Sequence, residues 1–152
     1  MELKSGDKAP LFTSTDQQGN PISLAQFKGK KVILYFYPKD STPGCTAEAC
    51  NFRDNYQTLV QQGFEVLGVS VDDEKSHQKF AGKYDLPFTL VADTRHDIVK
   101  AYGVWGEKNM YGRKYMGINR TTFVVDENGN IEHIITKVDT ENSTAQVLAL
   151  LK

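Results

Sequence analysis

Both cysteines of the chain sit in "YFYPKDSTPGCTAEAC", Tyr35 to Cys50, with four residues between Cys45 and Cys50. A thiol reacts as its thiolate, so the surroundings of each sulfur decide whether it does chemistry. Thr42 before Pro43 reads as a helix start. Threonine is a good N-cap, and proline at N1 lacks only an N–H that has no helical partner. Gly44 is then N2 and Cys45 is N3. The unpaired amides of a first turn and the positive end of the helix dipole favour an anion, and here a cysteine takes the place of the acid in a capping box. That field stabilises a Cys45 thiolate, the recognised route to a sulfur nucleophile. The alternative is a Cys45 that packs as a small hydrophobe.

Cys50 lies five residues further on the same helix. Helical geometry rotates it by roughly 140° and raises it by about 7.5 Å, so the two Cα atoms are about 8.7 Å apart. A disulfide needs a separation below about 7 Å. Pairing therefore requires the first turns to unwind, which Gly44 and the β-branched Thr46 ease. An alanine-flanked Cys50 can also simply pack. Structural zinc is disfavoured, because His77, His96 and His133 are scattered singly and no second ligand pair exists. The C-x-x-C of a dithiol oxidoreductase is absent.

The surrounding chain shows what positions this helix. "KKVILYFYP" is an almost unbroken β-branched and aromatic run ending at Pro38, the pattern of a buried central strand. "FEVLGVSV", Phe64 to Val71, is a second. The polar, alanine-bearing segment Pro43 to Gln62 between them has helical length, and Gly63 stops it. A right-handed crossover makes the two strands parallel. The site thus follows the C-terminal end of a buried strand, where α/β proteins build their sites. Asp72 or Asp73 can cap a helix over "EKSHQKFAGKY", and Asp72-Asp73-Glu74 is better explained by capping than by a metal. "FTLVAD" is a strand and "DIVKAYGV" a short helix. "RTTFVVDENGNIEHIITKV" is a hairpin around Asn128-Gly129. "NSTAQVLALLK" is a final helix with Ser143 or Thr144 as cap. Upstream, "FTSTDQQGNPISL" reads as an N-terminal hairpin. The order predicts an α/β sandwich with a mixed sheet, one domain over 1–152.

Bulk properties exclude several classes. The net charge of −1 gives no electrostatic case for nucleic acid or an anionic membrane. No apolar run approaches the roughly 18 residues that span a bilayer. "MELKSGDKAP" lacks the apolar region of a secretory signal, so a cytoplasmic location is expected. In that reducing compartment, two cysteines point to redox or metal chemistry. "WGEKNMYGRKYMGIN" places aromatics among Lys108, Arg113 and Lys114. Without a basic surplus elsewhere it reads as a flexible loop near the site rather than an RNA-binding patch.

The Tyr35–Cys50 segment resembles the active-site segment of peroxiredoxins, within them the bacterioferritin-comigratory-protein, or PrxQ, class. The family pattern P-x-x-x-T-x-x-C is met by Pro38, Thr42 and Cys45. Cys50 stands where the class often carries its resolving cysteine, and Arg120 in "NRTTFVVDENGNI" matches the distant family arginine. The likeness runs from "GDKAPLF" through "KYDLPFTLVAD" to the last helix. It implies a thioredoxin-like fold, a central mixed β-sheet flanked by helices with an N-terminal β-hairpin extension. It further implies reduction of hydrogen peroxide and organic hydroperoxides by Cys45, sulfenic acid formation, an intramolecular disulfide with Cys50, and recycling by thioredoxin or a similar dithiol. No metal, haem or flavin is implied, and the class is often monomeric.

Given the resemblance, Arg120 suits the reaction. A guanidinium stays charged, stabilises the thiolate and binds peroxide oxygens through a fixed fork. Thr42 can accept from the Cys45 N–H as a cap while donating to peroxide or thiolate, and the Cys45 amide can bind substrate oxygen. Pro38 shapes and shields the pocket, or simply ends the strand. Tyr37 walls the pocket or belongs to the core. Glu48 shares the Cys45 helical face, where a lone carboxylate would oppose the thiolate. It is expected to pair with Arg120, or with Arg113 as a weaker candidate, unless it is an ordinary solvated glutamate. A thiol sensor or binding protein of the same fold is the competing reading. Arg120 and Thr42 beside Cys45 favour the enzyme.

Overall fold

The run Lys31–Phe36 forms β3, the central strand of a computed structural model that describes residues 2–151. Its side chains alternate between two cores. Val32, Leu34 and Phe36 enter one cluster with Ile98, Val99 and Tyr102. Ile33, Tyr35 and Tyr37 enter the other with Ala49, Phe52, Leu59, Phe80 and Val147. Burial on both faces is why this strand is apolar throughout instead of alternating.

β3 pairs in parallel with β4 (Phe64–Ser70), from Lys31↔Phe64 to Phe36↔Val69. The expected crossover is therefore present. β4 pairs in parallel with β5 (Thr89–Ala92), and the N-terminal hairpin of β1 (Thr13–Thr15) and β2 (Pro21–Ser23) extends that edge through Thr15↔Ala92. On the other side β3 pairs antiparallel with β8 (Thr121–Val125), which pairs with β9 (Ile131–Ile135). The seven-stranded mixed sheet has the order β2-β1-β5-β4-β3-β8-β9. The β8–β9 turn is held by Asp126 Oδ1, which accepts from the Asn128 and Asn130 amides at 3.0 and 2.9 Å.

Helices cover both faces, with three departures from the expected boundaries. The segment Pro43 to Gln62 is two helices, α1 (Pro43–Asp54) and α2 (Tyr56–Gln61). At the break, Asn55 Nδ2 donates to the Asn51 carbonyl at 2.8 Å, competing with its own amide, which reaches the same oxygen at 3.3 Å. A short polar side chain that bonds locally offers the backbone an exit from the helix. α3 (Glu74–Tyr84) starts as expected, with Asp73 accepting from the Ser76 amide at 2.8 Å. α4 spans Asp97–Ala101. α5 (Ser143–Leu150) is preceded by Asn142, so neither Ser143 nor Thr144 is its cap; the Ser143 hydroxyl donates back to the Asp139 carbonyl at 2.8 Å.

The third departure is the segment read as a flexible loop. It is a regular hairpin of β6 (Trp105–Met110) and β7 (Arg113–Ile118), paired from Trp105↔Ile118 to Met110↔Arg113. Tyr111 and Gly112 at its tip both have positive φ, 53° and 81°, the two-residue turn that matches strand twist. Both faces carry polar residues, so the pattern of a half-buried strand is missing from the sequence.

Candidate active site

β3 ends at the Tyr37 amide, which still donates to the Val69 carbonyl at 3.1 Å, and Pro38 follows. A short turn then feeds α1. Ser41 within it has φ 65°, and Thr42 returns to extended backbone at φ −82° and ψ 154°. Thr42 holds the N-cap position and Pro43 is the first helical residue. The Thr42 carbonyl accepts from the Thr46 amide at 2.8 Å.

The Thr42 hydroxyl does not do what the sequence suggests. It donates to the Lys39 carbonyl at 2.9 Å and makes no cap bond. The tight turn brings that carbonyl within reach, and a hydroxyl aimed at it cannot also turn to the Cys45 amide. Among the described residues, the Gly44 and Cys45 amides therefore find no acceptor. Two donors at the positive end of a helix are left for an oxygen of another molecule.

Cys45 is almost fully buried and joins the second core through its stem. Arg120 Nη2 donates to its Sγ at 3.2 Å, and Arg120 Nη1 donates to Glu48 Oε1 at 2.8 Å. The partner of Glu48 is Arg120, not Arg113, which is exposed on β7. Glu48 is wholly buried, and its second oxygen lies 3.4 Å from the Ser143 hydroxyl, whose shorter bond is to the Asp139 carbonyl. Burial pushes the Glu48 carboxyl up to about 7, against the opposing pull of Arg120 and Ser143. Burial pulls the Arg120 guanidinium down, yet the charges on Cys45 and Glu48 outweigh it and hold it above its ordinary value.

Arg120 arrives by a pinned link. The Asn119 amide donates to the Val104 carbonyl at 2.7 Å and the Thr121 hydroxyl to the Asn119 carbonyl at 2.8 Å. Thr121 pairs with Phe36, so the guanidinium emerges at the C-terminal end of β3, beside the turn to Cys45. Gly44 makes room for it: a Cβ there would lie 3.2 Å from Arg120 Nη2.

Cys50 is half-buried on the same α1 and, like Cys45, is a free thiol. Asn51, next to it, ties this end of α1 to α5. Its Nδ2 donates to the Glu141 carbonyl at 2.9 Å, and its Oδ1 accepts from the Thr144 amide at 2.8 Å. Tyr37 is core, fully buried and stacked on Tyr35. Asp72 takes no part in capping; it accepts the Asp40 amide and the Ser70 hydroxyl. His96 packs against Trp105 with the two rings tilted by 40°, and His133 lies beside Glu132 on β9.

Three contributors escape sequence reasoning. Gly44 is legible only as a poor helix former until Arg120 lies against it. Ser143 reaches Glu48 from a distant helix. Lys108 reads as part of a loop, but its stem crosses Gly117 and its Nζ donates to the Ile118 carbonyl at 2.7 Å. Burial lowers its ammonium, the charge of Arg120 lowers it further, and Cys45 opposes the shift.

A family model described as the AhpC/TSA family matches residues 5–134. The chain is 50% identical to a putative peroxiredoxin bcp of Coxiella burnetii, over 99% of this chain and all of that one. It is 45% identical to peroxiredoxin Bcp of Escherichia coli K12, over 99% of this chain and 96% of the relative. Among solved structures, a cysteine-to-serine mutant of Xylella fastidiosa PrxQ superimposes with a TM-score of 0.89 at 32% identity, covering 99% of this chain and 96% of that one. The bacterioferritin comigratory protein of Xanthomonas campestris does so with a TM-score of 0.86 at 36% identity, over 92% and 89%. That protein was solved as trapped intermediate and ligand complexes for insight into its alkyl peroxide reduction activity. These neighbours share the thioredoxin-like fold.

Proposed function

The chain belongs to the AhpC/TSA family and is a peroxiredoxin, a thiol peroxidase; on that premise we propose that Cys45 is its peroxidatic residue and Cys50 its resolving one. The observation that carries the assignment is the Arg120 fork, one nitrogen 3.2 Å from Cys45 Sγ and the other held by Glu48. The charged donor is fixed before substrate arrives, so little reorganisation accompanies the reaction. The Cys45 thiolate attacks one peroxide oxygen. The O–O bond breaks, the departing oxygen takes a proton and leaves as water or an alcohol, and Cys45 becomes a sulfenic acid. Arg120 and the free Gly44 and Cys45 amides hold the peroxide oxygens. Thr42 serves by closing the turn through Lys39, and Pro38 by ending β3 where the turn must begin.

Resolution follows by attack of the Cys50 sulfur on Cys45 Sγ, with the sulfenic oxygen leaving as water. Both residues belong to one unbroken α1, so that helix unwinds before the disulfide forms. A dithiol protein, thioredoxin in our reading, returns both sulfurs to thiols by exchange. We take the protein to act as a cytoplasmic monomer; no described helix is long and apolar enough to cross a membrane.

An assay coupling peroxide, thioredoxin, thioredoxin reductase and NADPH tests the reading. NADPH consumption should be rapid and should disappear in Cys45→Ser. Consumption no faster than that of the variant would sink the assignment. Full turnover in Cys50→Ser would show that an external thiol resolves the sulfenic acid.

A further inference from the structure

Asp40, five residues before Cys45, is buried in a network that the reaction does not use. Tyr37 donates its hydroxyl to Oδ1 at 2.6 Å and Ser76 its hydroxyl to Oδ2 at 2.8 Å. His77 Nδ1 lies 2.7 Å from the same Oδ2, and the Asp40 amide donates to Asp72 Oδ2 at 2.9 Å. His77 itself is fully buried, with Nε2 3.0 Å from the Val91 carbonyl. A carbonyl only accepts, so Nε2 carries a proton. Nδ1 faces a carboxylate oxygen that also only accepts when ionised, so a second proton sits between Asp40 and His77. Asp40, Asp72 and His77 are close enough together to ligate a cation. The 2.7 Å contact leaves no room for an ion between the carboxylate and the ring, and their facing atoms are satisfied by each other.

A pair buried this deeply loses hydration on folding and adds little net stability; what such pairs can provide is a unique arrangement. Here the arrangement joins the ends of β3, β4 and β5 to α3 at one residue of the turn that leads into α1. Only Ser41 and Thr42 separate Asp40 from that helix, and Ser41 is held at φ 65°, a conformation uncommon for a residue with a side chain. We propose that Asp40 and His77 are positioning residues that anchor the N-terminal end of the unwinding segment. They hold the strained turn that starts α1, so they favour the folded form that presents Cys45 and Arg120 to peroxide. The chain before Asp40 stays in place when Cys45 and Cys50 join. This inference rests on the proposed unwinding of α1 and adds where it stops.

The test is amide hydrogen exchange of the reduced full-length protein, with kcat and KM for peroxide measured in parallel. His77→Phe leaves Asp40 without its partner. Asp40→Asn can keep the bonding pattern, accepting from Tyr37 and donating to a neutral His77. In His77→Phe, exchange of the hydrogen-bonded amides from Thr46 to Cys50 should rise at least about tenfold relative to those of β3 and β4. KM should rise more than kcat falls. Asp40→Asn should keep that exchange within about twofold of the parent protein. Equal acceleration along the whole chain in His77→Phe, or none between Thr46 and Cys50, overturns the anchor. So does an Asp40→Asn protein that opens as readily as His77→Phe. Should His77→Phe not fold, Tyr37→Phe removes one donor to Asp40 and must shift exchange in the same segment. Exchange is read without peroxide or reductant. A protein that shows the expected opening but no turnover would refute the peroxidase roles and leave the anchor standing.

Discussion

Arg120 spans Cys45 and Glu48, with Nη2 3.2 Å from Sγ and Nη1 2.8 Å from Oε1. The two contacts use different nitrogens of one rigid plane, so holding the carboxylate aims the other nitrogen at the sulfur. A lysine keeps the charge but has no fork. Arg120→Lys should lower the second-order rate with peroxide by about 10- to 100-fold, the worth of one charge-assisted hydrogen bond. Stopped-flow oxidation of Cys45 measures it, and a rate within about twofold of the parent would refute the fork.

Gly44 matters through space rather than through helix propensity. A Cβ placed there meets Arg120 Nη2 at 3.2 Å, tighter than ordinary contact, so the guanidinium must move by a few tenths of an ångström. Gly44→Ala should leave global stability within about 1 kcal/mol, because alanine suits a helix better than glycine. The peroxide rate should nevertheless fall about tenfold, as small displacements of positioned groups do. Urea unfolding and stopped-flow rates on the same protein separate the two effects.

Glu48 makes stability depend on pH. Burial raises its carboxyl from 4.5 to about 7, so the folded protein holds this proton more tightly than the unfolded chain does. The contribution is fully present below pH 4.5 and declines as pH rises through about 7, by about 3 kcal/mol in all. Glu48→Gln removes that slope. Urea unfolding of both proteins between pH 4.5 and about 8 should show the parent losing stability relative to the variant as pH rises. A difference that does not change with pH would contradict this.

Asn51 couples α1 to α5, through bonds of 2.9 and 2.8 Å to Glu141 and Thr144. Asn51→Ala should cost about 1–2 kcal/mol, as loss of a capping side chain does, and Asn51→Asp, which keeps the acceptor, should cost less. Urea unfolding at about pH 7 ranks them, and equal costs would assign the effect to the donor alone.

The start of α1 is legible in the sequence because it is a local matter. Thr42-Pro43-Gly44-Cys45 sets backbone angles and missing donors within a few residues, whatever lies around it. β3 and β4 were legible for a similar reason: a strand buried on both faces must be apolar at every position. The broken helix at Asn55 and the hairpin around Tyr111-Gly112 were not. One turns on a side-chain bond that helical periodicity does not report, the other on two polar faces that lack the alternation of a half-buried strand. Pairing of Glu48 with Arg120 could be anticipated from charge. Its consequences could not, because they depend on how the fold brings together two residues 72 positions apart and how completely it excludes water from them. The Thr42 hydroxyl shows the limit most plainly. Its sequence position let it accept from the Cys45 amide and donate to peroxide or thiolate, and the geometry of the turn after β3 gave its proton to the Lys39 carbonyl instead. Sequence determined which groups could react; tertiary structure decided which donors stayed free to meet the substrate, because a hydrogen bond made within the fold is one withheld from it.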